Sequence, residues 1–80
     1  MNRTECGRRR YEFRYLIRAI LDERELSMAE LGRRIGVSAE AVSATVRGKR
    51  HSPTVLNALR REGVPEDYLF DPRATRKEAA

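Results

Sequence analysis

Apolar side chains recur along this chain at intervals of three and four, the spacing of one-sided helices, and glycine and proline mark where each run stops. Over residues 11–24 the positions Phe13, Leu16, Ile17, Ile20 and Leu21 fall on one helical face. Leu26-Ser27-Met28-Ala29-Glu30 follows. Ser27 and Glu30 have the spacing of a capping box, in which the hydroxyl takes an amide of the first turn and the carboxylate reaches back to the cap. Leu26 is placed to staple onto Leu31. A second helix is therefore predicted over residues 28–35, ended by Gly36, which accepts a left-handed conformation without a Cβ penalty. Ser38 is the next N-cap, Glu40 lies near the positive helix end, and a third helix is expected over residues 39–47 before Gly48. Ser52-Pro53 reads as N-cap and first position of a fourth helix, whose inward side is Val55, Leu56 and Leu59 and whose stop is Gly63. Residues 64–70 suggest a short fifth turn, halted by Asp71-Pro72. No internal repeat and no strand-like alternation is visible, so the fold class is all-α.

The second and third helices are separated only by Gly36-Val37-Ser38, the short glycine-led connection of a helix-turn-helix. That geometry requires a small residue where the helices cross. Gly32 meets the requirement, in a mid-helix position where it costs about 1 kcal/mol relative to Ala. Leu31, Ile35, Val37 and Val42 would fill the angle between the helices. Thr45 departs from a fully apolar pattern, and its hydroxyl can bond back to the preceding turn. An ordinary helical hairpin with a glycine turn is the plain alternative. By organisation, residues 1–10 read as a flexible basic arm, 11–71 as the folded domain and 72–80 as a polar tail.

Eighty residues allow one small core and no second domain. No apolar run approaches the roughly 18–20 residues of a membrane span, and the N-terminus lacks the apolar segment of a signal peptide, so a cytoplasmic location is expected. The single cysteine, Cys6, excludes an internal disulfide and a cysteine-based zinc site, and reads as an incidental thiol. The formal charge of +5 is unevenly spread. Arg3, Arg8, Arg9, Arg10, Arg14 and Arg18 form one positive zone, and Arg47, Lys49, Arg50, Arg60 and Arg61 another. No acid occurs between Glu40 and Glu62. Such segregation suits a polyanion, although a solvated surface with accidental clustering gives the same count. One histidine, one cysteine and no glycine-rich phosphate loop leave no catalytic constellation, so neither an enzyme, a small-molecule substrate, a cofactor nor a metal is expected.

Residues 26–50, LSMAELGRRIGVSAEAVSATVRGKR, resemble the helix-turn-helix of the phage-repressor/Cro family. The continuation His51-Ser52-Pro53 through Leu59, with Pro65 and Phe70, is similar to the small Ner-type regulators of transposable phages. The resemblance covers about residues 13–71. It implies a compact five-helix, lambda-repressor-like bundle that acts without a cofactor as a transcriptional repressor, usually as a homodimer or cooperative pair on double-stranded DNA.

In that family the third helix enters the major groove. Carried over by position, Ser38, Ala39, Glu40, Ser43 and Ala44 would face the bases. Glu40 can accept from a cytosine amino group, Ser43 can meet several bases, and Ala39 and Ala44 can pack on thymine methyls. Glu40 is equally suited to serving the helix dipole. Phosphates would fall to Arg47, Lys49 and Arg50, where the chain turns back, with Ser52 and Thr54 at the next helix start. Met28 and Ala29 would present backbone amides in family fashion, and Arg33 and Arg34 would add either contact charge or solubility. Arg8, Arg9 and Arg10 read either as an arm reaching along DNA or as an untethered tail. His51 is a candidate for protonation near DNA. Tyr68, Leu69 and Phe70 are either a pairing surface or core packed on Phe13 and Leu16. The competing function is a protein-binding helical module, antitoxin-like or adaptor, and a third reading is sequence-neutral binding by charge.

Overall fold

Asn2 opens the first helix: its side chain accepts the Glu5 amide at 2.8 Å, and helical geometry starts at Arg3. The computed structural model describes residues 1–73, so the last part of the expected tail, residues 74–80, lies outside the described residues. The elements are α1 (Arg3–Glu12), α2 (Arg14–Glu23), α3 (Met28–Ile35), α4 (Ala39–Val46), α5 (Pro53–Arg61) and α6 (Glu66–Leu69). The all-α class holds, with no strand among the described residues. No helix of the described residues is long and apolar enough to cross a membrane.

The count is one helix more than the spacing predicts, and the extra element replaces the expected arm. Residues 3–12 are not a loose basic segment. They form a helix packed on the rest of the domain, with Cys6, Gly7 and Arg10 buried. The chain leaves helical geometry at Phe13 (φ −98°, ψ 6°), which ends α1 and starts α2. The break turns the Phe13 ring onto Tyr68 at 5.2 Å between centroids, stacked, and onto Phe70 at 5.6 Å. It also sets the face of α2: Ile17 and Leu21 are buried, while Leu16, expected inward, is 46% exposed.

The core runs through Ile17, Leu21, Leu26, Leu31, Val42, Val46, Val55, Leu56, Leu59, Val64 and Leu69. Leu69 is fully enclosed, and Tyr68 stacks on Phe13 while Phe70 meets it at a tilt. Of the two readings of Tyr68, Leu69 and Phe70, the packing is that of core against Phe13 rather than a pairing surface, Leu69 wholly so, while Leu16 takes no buried place in it. The folded part also continues past residue 71. Asp71 is 3% exposed and accepts from Arg60 Nη2 at 2.8 Å and from the Arg73 amide at 2.9 Å. Burial alone raises the Asp71 carboxyl, but the hydrogen bonds from Arg73 and Arg60 outweigh it and hold its pKa at about 2. Arg60, read from sequence as part of the second positive zone, is consumed here, bonded to both Glu66 and Asp71.

Candidate nucleic-acid interface

The corner between α3 and α4 is built from local rules. Ser27 Oγ accepts the Glu30 amide at 3.0 Å. The Glu30 carboxylate turns instead to Arg33 and Arg34, so one half of the capping box is replaced by ion pairs along the helix. Gly36 takes φ 78°, and the Val37 amide returns to the Gly32 carbonyl at 2.9 Å. A Cβ on Gly32 would stand 2.6 Å from the Val37 carbonyl oxygen, which is why the crossing needs glycine there. Ser38 Oγ then caps α4 through the Ala41 amide at 3.0 Å. Val42, Thr45 and Val46 face inward, and the Thr45 hydroxyl donates to the Ala41 carbonyl at 2.9 Å.

That register leaves Ser38, Ala39 and Glu40 exposed and Ser43 half-buried. Ala44 does not join them: it is 4% exposed. The reason is the return of the chain, because the amides of Lys49 and Arg50 both bond to the Ala44 carbonyl, at 2.9 and 3.3 Å, folding the loop over it. Base contact by Ala44 is therefore corrected to a core role. Glu40 neither stands alone nor serves only the dipole; its carboxylate meets Arg47 Nη2 at 3.4 Å.

Of the expected phosphate residues, Lys49 and Arg50 are exposed, and Thr54 is exposed one position beyond Pro53. Neither Lys49 nor Arg50 has a carboxylate partner among the described residues. Arg47 is half-buried, with Nε enclosed and no hydrogen-bond partner for it. Ser52 is half-buried and caps α5 by accepting the Val55 amide at 3.3 Å. Met28 is half-buried, its side chain packed on the core, while Ala29 beside it is exposed. Arg33 and Arg34 are held by Glu30. Arg8 and Arg9 are exposed on α1.

Arg10 is elsewhere. It is 0% exposed and cannot reach DNA. Its Nε donates to the Leu69 carbonyl at 2.6 Å, and Nη1 to the carbonyls of Thr45 and Arg50, both at 2.8 Å. Nη2 donates to His51 Nδ1 at 2.9 Å and to the Phe70 carbonyl at 3.3 Å. Burial lowers its pKa, and the neighbouring Cys6 and Asp71 oppose the shift. Charge pattern alone does not separate this arginine from Arg8 and Arg9. The small, uncharged pair Cys6-Gly7 one turn earlier is the only trace of a buried face.

His51, too, differs from expectation. Accepting from a guanidinium requires a bare Nδ1, so the ring is neutral with its proton on Nε2. Its pKa lies below the ordinary 6.5 because of burial first and then the charges of Arg10 and Arg3, while a hydrogen bond to the Arg3 backbone works the other way. No cluster of metal-ligating side chains occurs among the described residues.

What the corner offers is a helix tip with exposed small and acidic side chains, flanked by a cationic loop and the start of α5. A family model described as Helix-turn-helix matches residues 17–60, more than half of the chain. No curated protein and no solved structure matches it. The matched span holds all of α3 and α4 and most of α2 and α5, and the chain belongs to the helix-turn-helix family of the phage-repressor/Cro type, as a DNA-binding regulator.

Proposed function

We propose that this regulator is a repressor or autorepressor of phage or mobile-element type, similar to Ner-type proteins, which reads the major groove with Ser38, Ala39, Glu40 and Ser43. It acts by binding alone, with no catalytic step and no cofactor. The observation that carries this reading is the exposed first turn of α4 together with the exposed cations Lys49 and Arg50, whose amides bond to the last turn of the same helix. Groove entry by the helix tip would bring those cations to the flanking phosphates. A protein-binding module would instead need an apolar patch on α3 or α4, and the exposed positions there are Ala29, Arg33, Arg34, Ser38, Ala39 and Glu40.

Four base-facing side chains specify only a short half-site, which supports two copies acting together on DNA. Selecting bound fragments from random duplex DNA tests the proposal. The expected product is an inverted repeat with half-sites about 10 base pairs apart, bound at least about 10³-fold more tightly than random duplex at moderate salt. Selected and random duplexes bound alike at every salt concentration would leave only charge-driven, sequence-neutral binding.

A further inference from the structure

We propose that Arg10 is a positioning residue of the DNA surface: a buried guanidinium that sets the course of the phosphate-facing loop, residues 47–51, without touching DNA itself. This inference rests on the DNA-binding reading above.

A guanidinium has five N–H donors in a fixed planar fork. In this chain every one of them is engaged, by acceptors from three separate stretches. The Thr45 carbonyl belongs to the last turn of α4, the Arg50 carbonyl and His51 ring to the loop, and the Leu69 and Phe70 carbonyls to the end of α6. Three of the five acceptors therefore come from residues 45–51. Pulling the Arg50 carbonyl inward fixes the backbone from which the exposed Arg50 side chain departs.

A second, independent contact docks the same helix on the same loop. Gly7 of α1 lies against Gly48, backbone to backbone. A Cβ on Gly7 would sit 2.2 Å from the Gly48 carbonyl oxygen, and one on Gly48 would sit 1.9 Å from that of Gly7. Gly48 has φ 83°, a left-handed turn that directs the chain back over Ala44. Helix α1 thus acts as a brace: Gly7 seats it and Arg10 ties it to the loop. A buried charge is tolerable in such a place only while its donors are satisfied, so the loop cannot drift without leaving them unpaired.

The test compares wild type with Arg10→Lys, using a random-sequence duplex over a range of salt. Lysine keeps the charge but offers a single point with three donors and cannot span the five acceptors. The expected result is a helical protein whose affinity falls about tenfold and whose salt dependence becomes shallower by about one phosphate contact. A purely structural role would lower the melting temperature and leave the salt slope of the folded protein unchanged; that outcome overturns the proposal. Gly7→Ala is the second variant. It keeps Arg10 but lifts α1 off Gly48, and an unchanged slope in the folded protein is again fatal.

Hydrogen exchange on wild type decides the matter even where both variants fail to fold. The amides of Gly48, Lys49 and Arg50 should open together with those of α1, and independent, faster opening of the loop overturns the brace. A wild-type chain that binds no duplex at all defeats the DNA reading instead, and the exchange result still reports on the clamp.

Discussion

A proton on His51 Nδ1 would face a guanidinium nitrogen now 2.9 Å away, and this fixes the direction of the domain's response to acid. The charged groups around the ring are Arg10 and Arg3, which disfavour the proton, and Asp71, which favours it. Because the folded pKa is below the unfolded value of 6.5, the stabilisation is present above about pH 6.5 and is lost as pH falls through the folded pKa. Thermal melts of wild type should therefore drop as pH is lowered below 6.5, and His51→Gln, which offers an acceptor that does not titrate, should remove that step. Asp71 acts in the same direction but further down: its pKa of about 2 against an ordinary 3.8 contributes about 2 kcal/mol, lost only as pH falls from near 4 toward 2. Identical pH profiles for wild type and His51→Gln between neutrality and pH 5 would remove His51 from the account. Glu40 gives a second residue-scale expectation. It holds Arg47 at 3.4 Å in the unbound protein, so Glu40→Ala both withdraws a negative charge from the interface and releases a cation. Affinity for random duplex should rise several-fold while preference at one base position is lost, whereas Arg47→Ala should weaken all sequences alike.

Among the elements, the corner of α3 and α4 was the most legible from sequence, because its determinants are local. Ser27, Ser38 and Ser52 each cap the helix they precede, and Gly32 and Gly36 stand where the crossing and the turn require them. Gly32→Ala tests the crossing. Alanine is favoured in helices by about 1 kcal/mol, yet its methyl would meet a backbone oxygen at 2.6 Å that cannot swing aside as a side chain would. The net expectation is a loss of about 2 kcal/mol, read as a lower urea midpoint; a stabilised variant would mean that α3 and α4 can separate freely. Helix α1 was not legible for the opposite reason. Arg8, Arg9 and Arg10 are alike in the chain, and what distinguishes Arg10 is supplied by carbonyls 35 to 60 residues away. Ala44 differs for a nearer reason: helix position alone puts it near the groove, but the loop five and six residues further on turns back over it. The Phe13 break follows the long-range pattern of Arg10, since its ring partners, Tyr68 and Phe70, lie at the other end of the chain.

For the molecule as a whole, the net charge overstates what is available to DNA. Arg60 and Arg73 are bound up with Asp71, Arg24 pairs with Glu62, Arg33 and Arg34 pair with Glu30, and Arg10 is sealed inside. On the surface beside α4 the cations are Lys49 and Arg50, joined by Arg47 once DNA draws it from Glu40, its partner in the unbound protein. Each phosphate neutralised contributes about −0.9 to the slope of log affinity against log salt. One copy using those three cations should then give a slope of about −3, and two copies on an inverted repeat about −5. The second value is expected here, because one exposed helix turn reads too few bases to act alone. The surface that would pair the copies is not Leu69, which is fully buried; Leu69→Lys should unfold the domain, seen as lost helical signal, rather than split a folded pair. A slope near −3 on the selected duplex, with one protein per duplex by mass, would make each copy an independent reader. A slope far steeper than −5 would mean that α1, through exposed Arg8 and Arg9, also lies along the backbone, and that Arg8→Ala should restore the smaller number.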